Sequence, residues 1–330
     1  MTQLFTKKAS LWFRGLAILM VLASHYAEWW EWLAPPAGAC ELLRLAISRL
    51  GPYGVAIFFL FSGYGLVHSA GLQITGFSFV KKRIFAVYLP YLLVVGILEL
   101  FSGGFSGFSD VLQYLTGHDY WYMTVLFYFY IAFILLWALP ANRHVHAFLF
   151  AAFTVLLSAW MYRNGDQSFW FVSNPAFAIG VFLAVYEPFF QKILDISRKW
   201  MPILLITGMA VSVYYGIFSH ATAAWMPWKH VCTELFAVMI WTVLVIYMAS
   251  VLRKADPVFP FLGNHSLYLY LTHQFLFMWV LNTFTETGLF LRFLMAAVIT
   301  LLLSCFLGSL IPRIFQYATF LHQNKRSRTS

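Results

Sequence analysis

The sequence predicts an all-α polytopic transmembrane helix bundle, with about ten membrane-spanning helices and both termini cytoplasmic, and three observations carry that reading. Of 330 residues 62% are hydrophobic and only 10% are charged, against about 25% charged in a soluble chain. The apolar residues, 35 Phe and 13 Trp among them, gather into runs close to the ~20 residues a helix needs to cross the hydrocarbon. Basic residues lie between those runs and are shared unequally. With the N-terminus inside, fifteen fall on the cytoplasmic side and five on the other, the asymmetry that orients a membrane protein. The net charge of +9 therefore reads as topology, and no nucleic-acid partner is expected.

The ten spans follow in order, separated by polar or Pro/Gly-rich breaks. The first, 11–33, comes after Lys7 and Lys8 as a signal peptide would, but it shows no small-residue cleavage pattern and contains Arg14 and His25, so it reads as a retained helix. The others are 53–70, 84–101, 121–139, 147–162, 171–190, 202–219, 233–252, 266–284 and 289–312. Gaps between runs reach only about twenty residues. Residues 1–330 thus read as a single transmembrane domain with no separate soluble domain, placed multi-pass in the inner (cytoplasmic) membrane. Cys40, Cys232 and Cys305 are odd in number and far apart, which gives neither a disulfide framework nor a metal motif; no metal is expected.

Ionisable residues inside such helices cost at least about 2.5–3.5 kcal/mol near the centre and are functional candidates for that reason. Arg14, His25 and Glu28 share one stripe of the first span, since eleven residues make almost three turns. His25 then lies roughly 16 Å from Arg14, near mid-membrane. An imidazole suits removal of a proton from a hydroxyl at neutral pH, although an interhelical hydrogen bond also accounts for it. Arg14 reads as an anion-holding cation or an interfacial anchor that snorkels. Glu28 either orients His25 or marks the outer interface beside Trp29 and Trp32. Lys81, Lys82 and Arg83 are a positive-inside cluster or a cradle for a polyphosphate at the cytosolic mouth. Ser266, Tyr270 and His273 fall at i, i+4 and i+7, a polar stripe entering the ninth span. Trp121, Thr124 and Tyr128 have similar spacing, with Tyr122 beside them, where an aromatic belt is the competing account. Glu234 is placed to partner a buried cation.

Taken together these motifs resemble the acyltransferase 3 family of bacterial integral-membrane O-acyltransferases. The resemblance rests on Arg14 with His25 eleven residues later, Phe58 through Ser62-Gly63-Tyr64, the basic start from Phe79 to Pro90, Trp121-Tyr122, and Gly263 through Ser266, Tyr270 and His273. Two positions depart from the family pattern: Ala86 stands where a second Arg is usual and Leu267 where Tyr is frequent. The resemblance implies transfer of an acetyl group from acetyl-CoA to a hydroxyl of a cell-surface glycan or lipid-linked sugar. His25 and Glu28 would be the catalytic pair and Arg14, Lys82 and Arg83 the donor-binding cations. Trp121, Tyr122, Glu234, Ser266, Tyr270 and His273 would line the pocket or meet the acceptor, with membrane lipids as surroundings. The alternative from the residues alone is a transporter or flippase for a small organic acid or lipid-linked sugar, in which Arg14 grips the anion and His25 relays protons. The sequence does not fix the oligomeric state.

Overall fold

The computed structural model describes residues 3–34, 37–70, 76–197, 199–203, 205–208, 210, 214, 227–252 and 256–329. All regular structure among them is helical: α1 (Lys7–Leu33), α2 (Ala39–Ser48), α3 (Leu50–Ala70), α4 (Gly76–Arg83), a π-helical turn (Ile84–Tyr88), α5 (Leu89–Phe101), α6 (Phe108–Thr116), α7 (Trp121–Trp137), α8 (Arg143–Arg163), a 3₁₀ turn (Ser168–Trp170), α9 (Asn174–Val185), α10 (Glu187–Ser197), α11 (Pro227–Val251), α12 (Val258–Thr283) and α13 (Leu289–Thr329).

Among the described residues seven helices are long and apolar enough to cross a membrane, or eight when α6 and α7, bent by 63°, count as one broken span. That is fewer than the ten spans the sequence predicts, and the two shortfalls have separate reasons. The run 202–219 falls largely outside the described residues. α12 is long enough at 26 residues, but Asn264, His265, Thr272, His273 and Gln274 dilute its apolar character. The basic residues Arg198, Arg253 and Lys254, used in the charge count, also lie outside the described residues.

Local chemistry explains where the helices begin and break. Thr6 caps α1 by accepting from the Ala9 N–H at 3.1 Å, and Asn142 caps α8 by accepting from the His144 and Val145 N–H groups, both at 3.0 Å. The run 171–190 does not continue as one helix. α9 stops at Val185 and α10 starts at Glu187, next to Pro188, which has no N–H to carry the ladder onward. Pro90 likewise leaves the Ala86 carbonyl without its helical donor, and the backbone widens just before it: the Leu89 N–H bonds the Ile84 carbonyl, one residue further back than in an α-helix.

The chain divides into two compact units, 1–76 with 121–263 and 77–120 with 264–330, the second cut falling inside α12. The first unit is locked by glycine contacts. A Cβ at Gly63 would stand 2.2 Å from the Phe177 carbonyl oxygen, and one at Gly180 would stand 2.1 Å from that of Leu60, so α3 and α9 touch backbone to backbone. Lipid tails give no hydrophobic force between helices, and small residues that allow such approach supply van der Waals contact instead. Around that crossing Phe59, Phe129, Phe150 and Phe177 are fully buried, with ring centroids 4.5 Å apart for Phe129–Phe177 and 5.4 Å for Phe150–Phe177. A second glycine pair joins α1 to the beginning of α12. A Cβ at Gly15 would lie 2.0 Å from the Phe259 carbonyl oxygen and one at Gly263 would lie 2.0 Å from that of Leu11. Asp256 fixes the same corner, accepting from the Trp12 indole N–H at 2.7 Å and from the Val258 and Phe259 N–H groups.

The second unit is held by tyrosines and a hydroxyl pair. Tyr91 donates to the Tyr114 carbonyl at 2.5 Å, Tyr120 to the Leu271 carbonyl at 3.1 Å, and Thr272 meets Ser304 at 3.0 Å between α12 and α13.

Candidate active site

In the first unit Arg14 and His25 both project from α1, and the glycine beside Arg14 is the one that admits the α12 backbone. Half-buried Arg14 lies within electrostatic range of Tyr122, whose hydroxyl shares a hydrogen bond with Ser62. The structure thus gathers Arg14, Ser62 of the Ser-Gly-Tyr run and Tyr122 of the Trp-Tyr pair, three separate motif stretches. Tyr122 is buried and its ring stacks on Phe59 at 5.2 Å, while Trp121 rests against Phe169 at 5.2 Å. Tyr64, from the same run, has a different task. Its hydroxyl donates to Glu187 and accepts from the Phe5 N–H, and the Leu4 N–H also donates to Glu187. It latches the N-terminal residues onto the start of α10.

His25 stands roughly 27 Å along α1 from Lys7 and roughly 12 Å from Leu33, level with the turn between α2 and α3. There Ser24 donates to the Ser48 carbonyl at 2.6 Å. The His25 Nδ1 is 3.3 Å from Glu28 Oε2, with the ring 20% and the carboxylate 46% exposed. A carboxylate accepts and does not donate, so Nδ1 carries the proton and the ring's lone pair sits on Nε2. This is the orientation a carboxylate gives to an imidazole that takes up a proton, because the carboxylate stabilises the imidazolium that results.

Glu234 belongs to a separate pair. Its Oε1 lies 2.6 Å from Arg49 and 3.5 Å from His230, a compensated charge cluster. Arg49 was legible only as a basic residue on the non-cytoplasmic side; nothing in sequence spacing links positions 49 and 234.

In the second unit Ser266, Tyr270 and His273 are all buried. The His273 Nδ1 is 2.6 Å from the Tyr270 carbonyl, which only accepts, so this ring too is fixed with its proton on Nδ1. Tyr120 completes the group: its ring packs at 6.1 Å on Tyr270 and at 6.0 Å on Tyr91. Sequence reading passed over Tyr120 beside Trp121-Tyr122, where the run of three aromatic residues is the available signal. Lys81 and Lys82 are exposed at the end of α4, and Arg83 is half-buried with its guanidinium 5.3 Å over the Phe79 ring. Ala86, where the family pattern has a second Arg, falls in the π-helical turn. Among the described residues no group of three or more His, Cys, Asp or Glu side chains is arranged to hold a metal ion.

No curated protein and no solved structure matches the chain. Residues 11–309 match the acyltransferase 3 family, described as an acyltransferase domain, and with nearly its whole length covered the chain belongs to that family of membrane acyltransferases.

Proposed function

We propose that this acyltransferase moves an acetyl group from acetyl-CoA to a hydroxyl of a cell-surface glycan or lipid-linked sugar in the cytoplasmic membrane, with His25 as general base. The observation that carries the reading is the 3.3 Å contact between His25 Nδ1 and Glu28 Oε2, which leaves the proton-accepting nitrogen on the other side of the ring. His25 Nε2 takes the proton from the acceptor hydroxyl as its oxygen bonds to the thioester carbonyl carbon. Glu28 holds the ring and stabilises its charged form. The C–S bond breaks, and the proton returns to the thiolate that leaves.

The donor carries several phosphate charges, and the exposed Lys82 beside half-buried Arg83 suits an anion of that kind. Arg14 is the further cation assigned to the donor. In the first unit Trp121 and Tyr122 are assigned to lining the pocket beside Arg14; in the second unit Ser266, Tyr270 and His273 form a polar group of their own, assigned to the acceptor. With its Nδ1–H committed to the Tyr270 carbonyl, His273 is an acceptor of hydrogen bonds, so stabilisation of a developing oxyanion falls to a tyrosine hydroxyl.

The test uses the full-length protein in liposomes with radiolabelled acetyl-CoA and a lipid-linked oligosaccharide extract. His25→Ala remains folded and inserted and loses about 10²- to 10⁴-fold in label transfer. Transfer at the unmodified rate would exclude His25 as the base.

A further inference from the structure

The outer end of the first unit holds a buried cation that the mechanism above leaves without a role. α2 is turned inside out: Leu42 and Leu43 face outward, 64% and 55% exposed, while Arg44 is only 4% exposed. Its Nε and one terminal nitrogen donate to the two Glu41 oxygens, both at 2.7 Å, and the other terminal nitrogen reaches Glu31 Oε2 at 2.7 Å. Glu28 lies within its electrostatic range. A guanidinium leaves water only where carboxylates are fixed around it. These carboxylates come from two helices, so the arrangement staples α2 to the end of α1.

On α1 Glu28 is one turn from His25 on one side and one turn from Glu31 on the other. Without a cation the two carboxylates would repel each other one turn apart, and Glu28, nearly half exposed, would be drawn toward water and away from the ring. The geometry points to Arg44 as a positioning residue for acyl transfer: its guanidinium binds Glu31 and Glu41 directly, neutralises the carboxylate one turn from Glu28, and thereby lets Glu28 stay against His25. The assignment rests on His25 as the base. Among the described residues the charged groups on the elements packed at this end are Glu28 and Glu31 of α1, Glu41 and Arg44 of α2, the exposed Lys229 of α11, and Arg49 between α2 and α3 with His230 and Glu234 of α11. The last three form their own cluster.

The consequence has a sign. Removing the guanidinium releases Glu28 from the ring, so the imidazole loses the carboxylate that orients it and stabilises its charged form. In the liposome assay with acetyl-CoA, Arg44→Gln should lower kcat about 10- to 100-fold, leave KM for acetyl-CoA within about twofold, and move the acid-side half-maximal pH downward. Glu28→Gln should move it downward too, and Arg44→Lys, which keeps the charge and loses the fork, should hold the wild-type pH while recovering part of kcat. If Arg44→Gln does not accumulate as folded protein, the Lys and Glu28 variants decide. An Arg44→Lys profile displaced as far as that of an uncharged substitution, or a Glu28→Gln profile identical to wild type, overturns the positioning role. So does a well-folded Arg44→Gln with wild-type kcat and profile. An inactive His25→Ala beside such an Arg44→Gln removes only the Arg44 assignment, whereas an active His25→Ala removes the base and this inference together.

Discussion

His25 and His273 are the same side chain in the same tautomer, in two regions built on different principles. Each donates from Nδ1, His25 to the Glu28 carboxylate and His273 to the Tyr270 carbonyl of its own helix. A carbonyl orients the ring and does little more. A carboxylate also stabilises the ring once it is charged. His25 is 20% exposed beside the Glu28 carboxylate, whereas His273 is 1% exposed and bonded to its own helix. That contrast in partners is the reason the base is assigned to His25 and alignment to His273.

The largest effect that would break this comparison comes from the matched pair His25→Asn and His273→Asn. Asparagine can keep the donor that each Nδ1 supplies while removing any titratable base. Transfer from acetyl-CoA should fall about 10²- to 10⁴-fold in His25→Asn and stay within about tenfold of wild type in His273→Asn, with the pH profile of the latter unchanged. Equal losses in the two variants would mean that the distinction between carboxylate and carbonyl partner does not separate their roles.

How much of this was legible in the sequence follows from the range over which each signal acts. Hydropathy and charge are summed over whole segments, which is why a bundle of membrane-crossing helices could be read directly. The stripe carrying Arg14, His25 and Glu28 is local periodicity on a single helix, and it too was visible. Pairings between distant segments left no such trace. Arg44 and Arg49 counted only as basic residues on the non-cytoplasmic side, yet Arg44 meets Glu31 of α1 and Arg49 meets Glu234 of α11. The meeting of Arg14, Ser62 and Tyr122 depends on how α1, α3 and α7 pack. The π-helical turn had a local cause in Pro90, but a proline before an apolar run predicts a helix start equally well.

A second way to sharpen the comparison tests the frame that aims α1. Gly15 and Gly65 are both helical glycines, and propensity alone makes alanine better by about 1 kcal/mol at either. At Gly15 the added Cβ would meet the Phe259 carbonyl oxygen at 2.0 Å, whereas at Gly65 nothing lies within 4 Å. Gly15→Ala should therefore cost about 1–3 kcal/mol through forced separation of α1 from α12 and lower the unfolding temperature in detergent, and Gly65→Ala should raise it slightly. Activity in Gly15→Ala should fall as well, since α1 carries both Arg14 and His25. A neutral Gly15→Ala would show that the first unit tolerates a shift of α1 and that the aim of His25 does not depend on this contact.

The smallest effect concerns the same corner. Asp256 lies between α11 and α12, and the hydrogen bond from the Trp12 indole, helped by the Phe259 and Val258 N–H groups, holds its carboxyl below the usual carboxylate range. A group whose pKa is lowered by folding stabilises the folded chain above its unfolded value, and that contribution disappears as pH falls through the folded value. Asp256→Asn retains one acceptor, and asparagine is itself a good helix cap, so the substitution isolates the charge. Its unfolding temperature should lie slightly below wild type at pH 7, and the gap should close as the pH falls below about 4. Because the carboxylate is exposed, the gap should also shrink in high salt. A gap that persisted unchanged into acid would assign the stabilisation to the shape of the α1–α12 corner, leaving the glycine contacts as the feature that fixes the helix bearing His25.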